Sequence, residues 1–343
     1  MNAQEVVETA NALVAGHKGL LAMDESTSTC NRRFFGLGIP QTEEARRAYR
    51  ELLLTTPGLA TCVSGVILYD ETIRQRKTDG TPLLDVAIDA GIIPGIKVDI
   101  GAKDMAGHPG ERITEGLDGL RERLREYAQM GARFAKWRAV ITVAKGVPSR
   151  GRIDANAHAL ARYAALCQEA GPVRVVEPEV LMDGSHSLYR CGEVTEQLLR
   201  NVFNELDSQG VMLEGMILKP NMVLPGFTCA IQETLDAVAD ATVQCLQRAV
   251  PAAVAGIAFL SGGQSDELAS ARLNAMHVRF RPPLGHSPWP ITFSFGRALQ
   301  RPAMEIWAGT EANRGAAQEA LLHRARSNHA ALRGEYSGVM EAP

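Results

Sequence analysis

A chain of 343 residues with 45% apolar and 22% charged side chains has an ordinary globular composition. It is large enough for one big barrel or two domains. Its 36 basic and 39 acidic residues leave a formal charge of −3, which gives no reason to expect nucleic acid or an anionic membrane as partner. No apolar run has the length of a bilayer span, and Met1-Asn2-Ala3-Gln4-Glu5 lacks the basic leader and apolar core of a secretory signal. The six cysteines, Cys30, Cys62, Cys167, Cys191, Cys229 and Cys245, form no C-x-x-C pair. That argues for reduced thiols and against a disulfide framework or structural zinc. The expectation is a cytoplasmic enzyme.

Taken in order, residues 1–17 read as a helix with Val6, Val7, Ala10, Leu13 and Val14 on one stripe. A short apolar run over 19–23 lands on Asp24-Glu25-Ser26-Thr27. A helix over 42–54 starts on the acidic signal Thr42-Glu43-Glu44. The second strand covers 62–68, a helix 83–90, and a third, irregular strand 92–98 contains Pro94 and Gly95. A helix over 116–130 precedes a strand with internal charges, Phe134-Ala135-Lys136-Trp137-Arg138. A helix over 156–170 then leads to a strand over 173–180, and a helix over 195–209 to Met216-Ile217-Leu218, which Pro220 stops just after Lys219. A helix over 228–250 precedes the strand over 255–260, and a helix over 267–276 precedes the strand over 289–296. Helices from Arg297 and over 313–332 complete the chain.

Eight strands alternating with helices, with no repeat, low-complexity tract or linker, predict an α/β fold made of a single (β/α)8 TIM barrel across 1–343. A helical extension precedes it and a helix and tail follow. An open doubly wound sheet is the rival, but no G-x-G-x-x-G follows the first strand. Barrel chemistry collects at the carboxyl ends of the strands. Those ends carry Asp24, Lys97, Lys136, Glu177, Glu179, Lys219, Ser261 and Ser294.

Lys219 ends an apolar strand, where either an ion pair or a nucleophilic role would hold it. A lysine among carboxylates suits Schiff-base chemistry, provided a neighbour such as Lys136 favours the neutral amine. The iminium then withdraws electrons so that a neighbouring carbon–carbon bond can break or form. Glu177 and Glu179 are two apart and face the same way on a regular strand. Their repulsion, offset by lysines, is expected to split their pKa values into one acid and one base. Ser261-Gly262-Gly263 and Ser294-Phe295-Gly296-Arg297 each follow a strand and precede a helix, as an anion cradle requires. Arg297 supplies a bidentate donor.

In sequence order, Asp24-Glu25-Ser26-Thr27, Phe134-Ala135-Lys136-Trp137-Arg138, Val176-Glu177-Pro178-Glu179, Leu218-Lys219-Pro220-Asn221-Met222, the run from Phe259 to Ser265 and the run from Phe293 to Gln300 closely resemble the class I fructose-bisphosphate aldolases. The match runs from about Gly19 to Tyr336. The resemblance implies that Lys219 forms a Schiff base with the C2 ketone of fructose 1,6-bisphosphate or dihydroxyacetone phosphate. Glu177 would be the acid–base residue, tuned by Lys136 and Glu179, and Asp24 would handle the C4 hydroxyl proton. Ser261, Gly262, Gly263, Ser294, Gly296 and Arg297 would hold the ketose C1 phosphate; Lys97, Arg138, Ser26, Arg33 and Arg46 match positions at or near the other phosphate. The resemblance further implies sugar phosphates as partners, a homotetramer, and no metal or cofactor.

Two departures stand out. Ser28-Thr29 replace the family's usual Gly-Ser, and Ser28 lacks glycine's backbone freedom. Many eukaryotic members end in a mobile segment with a terminal tyrosine that assists C3 proton exchange. Here the last aromatic is Tyr336, which matches a position before that segment. Cleavage is expected to survive, with C3 protonation slower or served by another group. Other readings are a barrel acting on fructose 1-phosphate, a non-catalytic binding barrel, and a metal-dependent aldolase, although the eight histidines show no ligand spacing.

Overall fold

A computed structural model describes residues 2–280 and 287–341. Met1, Ala342 and Pro343, the ends of the expected first helix and of the tail, lie outside the described residues. Eight parallel strands close into a barrel: β1 (Gly19–Ala22), β2 (Val63–Leu68), β3 (Ile93–Lys97), β4 (Phe134–Ile141), β5 (Val173–Val180), β6 (Met216–Leu218), β7 (Gly256–Phe259) and β8 (Ile291–Phe295). Each neighbours the next in chain order, and β8 returns to β1 through Leu20 beside Ser294. The eight strand segments read from the sequence are these eight strands.

Every residue of β2 and β5 is buried. Side chains of a barrel strand alternate between the interior and the helix layer, so neither face meets water and no polar alternation shows in the sequence. The helix Ala3–Val14 closes the amino-terminal end of the barrel. Its Val6, Ala10, Leu13 and Val14 pack with Leu20, Ile67, Phe134, Val175 and Ile217. Gly95 serves this interior: a Cβ there would lie 2.3 Å from the Phe134 ring, so the glycine leaves the space that the phenylalanine fills. On the outer face, Trp137 stacks on Tyr163 with centroids 5.7 Å apart, and the Tyr163 hydroxyl donates to the Ala135 carbonyl at 2.6 Å. That contact pins the helix Arg150–Ala170 to β4.

Several helix limits differ from the sequence reading, and capping explains most of them. Arg150–Ala170 begins six residues earlier than expected because the Ser149 hydroxyl accepts the Arg152 N–H. Ser187 does the same for Leu188–Ser208, and Thr234 delays the next helix to Leu235–Ala249. Elements not foreseen include the helix Thr27–Gly36, the short helix Asp70–Arg74, and an antiparallel hairpin pairing Gly101–Asp104 with Arg112–Glu115. Thr27–Gly36 buries only Cys30 and Phe34, so its serines and threonines dominate the pattern and read as a loop. Among the described residues, no helix is long and apolar enough to cross a membrane.

Candidate active site

Lys219 directly follows β6, and Pro220 removes the donor that would extend the strand. The turn is nonetheless tied down. The Lys219 N–H donates to the Val176 carbonyl at 2.8 Å, and the Leu260 N–H donates to the Pro220 carbonyl at 3.1 Å. Asn221 accepts the Val180 N–H at 2.9 Å through its side-chain oxygen. The lysine side chain is buried and its Nζ lies 3.1 Å from Glu177 Oε1.

The other oxygen of Glu177 faces a second lysine. Lys136 Nζ lies 3.0 Å from Glu177 Oε2 and 2.6 Å from Asp24 Oδ2. The contact at Oε2 lacks hydrogen-bond alignment and is an ion pair by charge alone. One carboxylate is thus straddled by two lysines, and Asp24 completes a chain that crosses from β1 through β4 to the end of β6. Lys136, Glu177 and Lys219 are each 3% exposed or less, so these interactions operate away from bulk solvent and its screening.

Burial pushes the Asp24 carboxyl up, but Lys136 and then Lys219 outweigh it and hold the group well below the usual carboxylate range. Glu177 behaves likewise: burial raises it, Lys136 and Lys219 lower it more, and the net shift is downward. Burial pushes Lys136 down, while Asp24, Glu177 and Asp99 lift it above the ordinary lysine value. The resting state is therefore carboxylate, ammonium, carboxylate. Glu177 and Glu179 were expected to face the same way on their strand. Both do point inward, but each meets its own cation: Glu179 Oε2 lies 2.5 Å from Arg138 Nε, whereas Glu177 takes the lysines.

The seventh and eighth strand ends build a different surface. Gly262 and Gly263 have φ of +59° and +90°, a left-handed run that turns successive backbone N–H groups toward one side. Ser261 and Ser294 are buried, and among the described residues the Ser294 hydroxyl has no hydrogen-bond partner. The helix Arg297–Trp307 starts on Gly296 with no side-chain cap and no acidic residue in its first turn. Its positive end is open to an anion. A Cβ on Gly296 would sit 3.1 Å from the Ala22 carbonyl, and one on Gly263 would sit 3.8 Å from Arg297 Nη1. The two loops and the arginine meet at one place. Burial, then Arg33, Arg138 and Arg301, push the Arg297 guanidinium below its usual range; a crowd of cations with few anions is a site for a supplied negative charge.

From Arg297 a groove of about 460 Å³ runs outward past Thr29, Arg32, Arg33 and Arg301. A hollow of about 310 Å³ between residues 117–122 and 162–169 lies in the outer helix layer, away from the strand ends. At the other side of the mouth, Lys97 Nζ pairs with the Asp99 carboxylate at 2.6 Å, and Asp99 also accepts the Arg138 N–H at 3.2 Å. Ser26 caps the helix Thr27–Gly36 by accepting the Thr29 N–H, and its hydroxyl lies 3.1 Å from those of Ser28 and Thr29. The departure from Gly-Ser therefore becomes part of a helical first turn. Arg33 holds Glu25 at 2.6 Å.

Arg46 stands apart from this group. It is buried, grips both oxygens of Glu71 at 2.7 and 2.6 Å, and donates to Asn31 at 2.9 Å. Each of its nitrogens is engaged with the protein, which ties Arg46 to Glu71 and Asn31. Sequence reasoning also passed over Glu25, Asp99 and Asn221. Glu25 joins Arg33, Arg50 at 2.7 Å and Gln300 at 2.9 Å. A carboxylate two residues after a strand-end lysine was the available signal for Asp99.

The fold and its mouth define a barrel enzyme of the (β/α)8 class with a buried lysine among carboxylates. The family model described as class I fructose-bisphosphate aldolase matches residues 5–343. A relative from Xanthomonas campestris pv. campestris, named "Probable fructose-bisphosphate aldolase class 1", is 55% identical over 339 residues, covering 98% of this chain and all of the relative. "Fructose-bisphosphate aldolase 6, cytosolic" of Arabidopsis thaliana is 48% identical, covering 98% of this chain and 92% of its own. Among solved structures, the Plasmodium falciparum fructose-bisphosphate aldolase in complex with TRAP and a small-molecule inhibitor superposes with a TM-score of 0.95 at 45% identity, covering 98% of this chain and 96% of that one. The chain belongs to the class I fructose-bisphosphate aldolases, which are carbon–carbon lyases.

Proposed function

We propose that this aldolase reversibly cleaves fructose 1,6-bisphosphate through a Schiff base on Lys219, without a metal. What carries the reading is the Glu177 carboxylate between two buried lysines, one of them at the open end of a strand. The neutral Lys219 amine adds to the C2 ketone, and Glu177 Oε1 is near enough to take its proton. The same carboxyl passes that proton to the C2 oxyanion to complete the carbinolamine, then delivers a second one, drawn from solvent and given back when the iminium is hydrolysed, so that the hydroxyl leaves as water. Asp24 accepts the C4 hydroxyl proton, the C3–C4 bond breaks, and its electron pair moves into the iminium to give an enamine. Glyceraldehyde 3-phosphate departs. Protonation at C3 and hydrolysis of the iminium then release dihydroxyacetone phosphate and restore the lysine.

Lys136 keeps Asp24 and Glu177 ionised for this work, and Glu179 fixes Arg138. Ser261, Gly262, Gly263, Ser294, Gly296 and Arg297 take the ketose phosphate, while Lys97, Arg138, Ser26 and Arg33 serve the other end. The chain acts as a single barrel domain over 1–343, in the cytoplasm and as a homotetramer. The arginines lining the outer groove favour a substrate with two phosphates over fructose 1-phosphate. Comparing kcat/KM for the two ketoses tests this, with the bisphosphate expected to be preferred by more than about tenfold, the worth of one charge-assisted phosphate contact. Equal values would assign the enzyme to the monophosphate.

A further inference from the structure

We propose that Arg272 is a positioning residue for the ketose-phosphate cradle, acting through Gln264 and the Ser261 peptide; this rests on the assignment of that cradle above. Arg272 lies on the helix Asp266–Arg279 and is buried at 6% exposure. Among the described residues it pairs with no carboxylate, and its Nε has no hydrogen-bond partner. Burial pushes its pKa down with no charged neighbour opposing the shift, yet a guanidinium stays protonated at neutral pH. A buried cation without a counter-ion is costly, which makes its one clear contact informative. Arg272 Nη1 donates to Gln264 Oε1 at 2.8 Å.

Gln264 is itself buried and passes the constraint on. Its Nε2 donates to the Ser261 carbonyl at 2.9 Å, and its backbone N–H donates to the same carbonyl at 3.1 Å. The two ends of a glutamine amide have nearly the same shape. A donor-only guanidinium on Oε1 decides which end faces Ser261. Without it the amide can turn and set oxygen against oxygen. The Ser261 carbonyl belongs to the peptide unit that carries the Gly262 N–H, and in a planar trans peptide those two groups point in opposite directions. Drawing the carbonyl inward toward Gln264 therefore turns the Gly262 N–H outward, to the anion.

The same amide reaches the lysine turn, with Gln264 Nε2 3.7 Å from Met222 Sδ. The unpaired charge also sits two hydrogen bonds behind the cradle, where it favours a doubly charged phosphate. Arg272 thus sets both the aim and the field of the loop without touching substrate.

The test compares Arg272→Met, Arg272→Lys, Gln264→Glu and Arg297→Gln in steady-state cleavage of fructose 1,6-bisphosphate. Arg272→Met is expected to raise KM about tenfold while kcat falls less than about threefold, and Arg272→Lys to recover part of the loss. Gln264→Glu keeps an acceptor for Arg272 but loses the donor to Ser261, so its folding holds while KM rises as in Arg272→Met. Trapping with phosphate-free dihydroxyacetone should be affected less than trapping with dihydroxyacetone phosphate. If Arg297→Gln raises KM and the Arg272 and Gln264 variants do not, the relay is overturned and the cradle stands. If Arg297→Gln also leaves KM unchanged, the cradle assignment itself fails. Should Arg272→Met not fold, Gln264→Leu carries the same comparison.

Discussion

Replacing Lys219 with methionine is expected to lower kcat for fructose 1,6-bisphosphate by at least about five orders of magnitude, the loss typical when a covalent nucleophile is removed. The methionine is similar in length and apolar, so it fills the space between β6 and the Glu177 carboxylate. Among the described residues no other strand-end lysine is free to substitute: Lys136 is held by Asp24 and Glu177 together, and Lys97 by Asp99. Ketose phosphate should still bind, because the Ser261 and Arg297 surface is untouched. Steady-state kinetics with a binding measurement on dihydroxyacetone phosphate checks both halves. A residual rate within about a hundredfold of the parent would remove Lys219 from the chemistry.

The second large effect belongs to Lys136. In Lys136→Met, Asp24 and Glu177 lose the cation that most strongly opposes their burial, and both carboxyls should move upward toward neutral acids. Activity is expected to fall by about three orders of magnitude, since a misprotonated acid–base pair forfeits general catalysis and charge stabilisation together. The acid limb of the pH–rate profile should move to higher pH. These groups' contributions to stability depend on pH in a predictable direction. Depressed carboxyls contribute stability that is fully present above the unfolded carboxylate range near about 4, and it is lost as pH falls through their folded values. Lys136, raised in the fold, contributes stability present below its unfolded value and lost as pH rises through the folded one. The variant should therefore be less stable than the parent at neutral pH and draw closer to it on acidification. Urea unfolding across the acid range, alongside kcat/KM profiles, measures both. An unshifted acid limb would mean that Lys136 does not control these carboxyls.

Much of the barrel is legible because apolar runs such as Met216–Leu218 end on chemistry that a buried strand has no structural use for. Lys219, Lys136 and Glu177 announce themselves by being charged where their neighbours are not. Pairing is another matter. Glu177 and Glu179 read as one repelling couple because alternation puts them on the same face, but which cation each meets depends on strands β4 and β6 crossing beside β5 at their particular register, Arg138 opposite Glu177 and Val140 opposite Glu179. The partner of Arg46 was hidden for a similar reason: Glu71, which holds it, is distant in sequence. The helix Thr27–Gly36 was hidden by a polar surface that buries two residues. Caps at Ser149, Ser187 and Thr234 were visible as letters but lost to hydrophobic periodicity, which marks the middle of a helix better than its start.

The most direct measurement is the intact mass after borohydride treatment with dihydroxyacetone phosphate in the presence of chelator, followed by peptide mapping. A single reduced adduct on the peptide bearing Lys219, absent from Lys219→Met, is the predicted result. A folded protein that acquires no adduct, or one whose adduct maps to another lysine, would contradict Schiff-base catalysis at the end of β6.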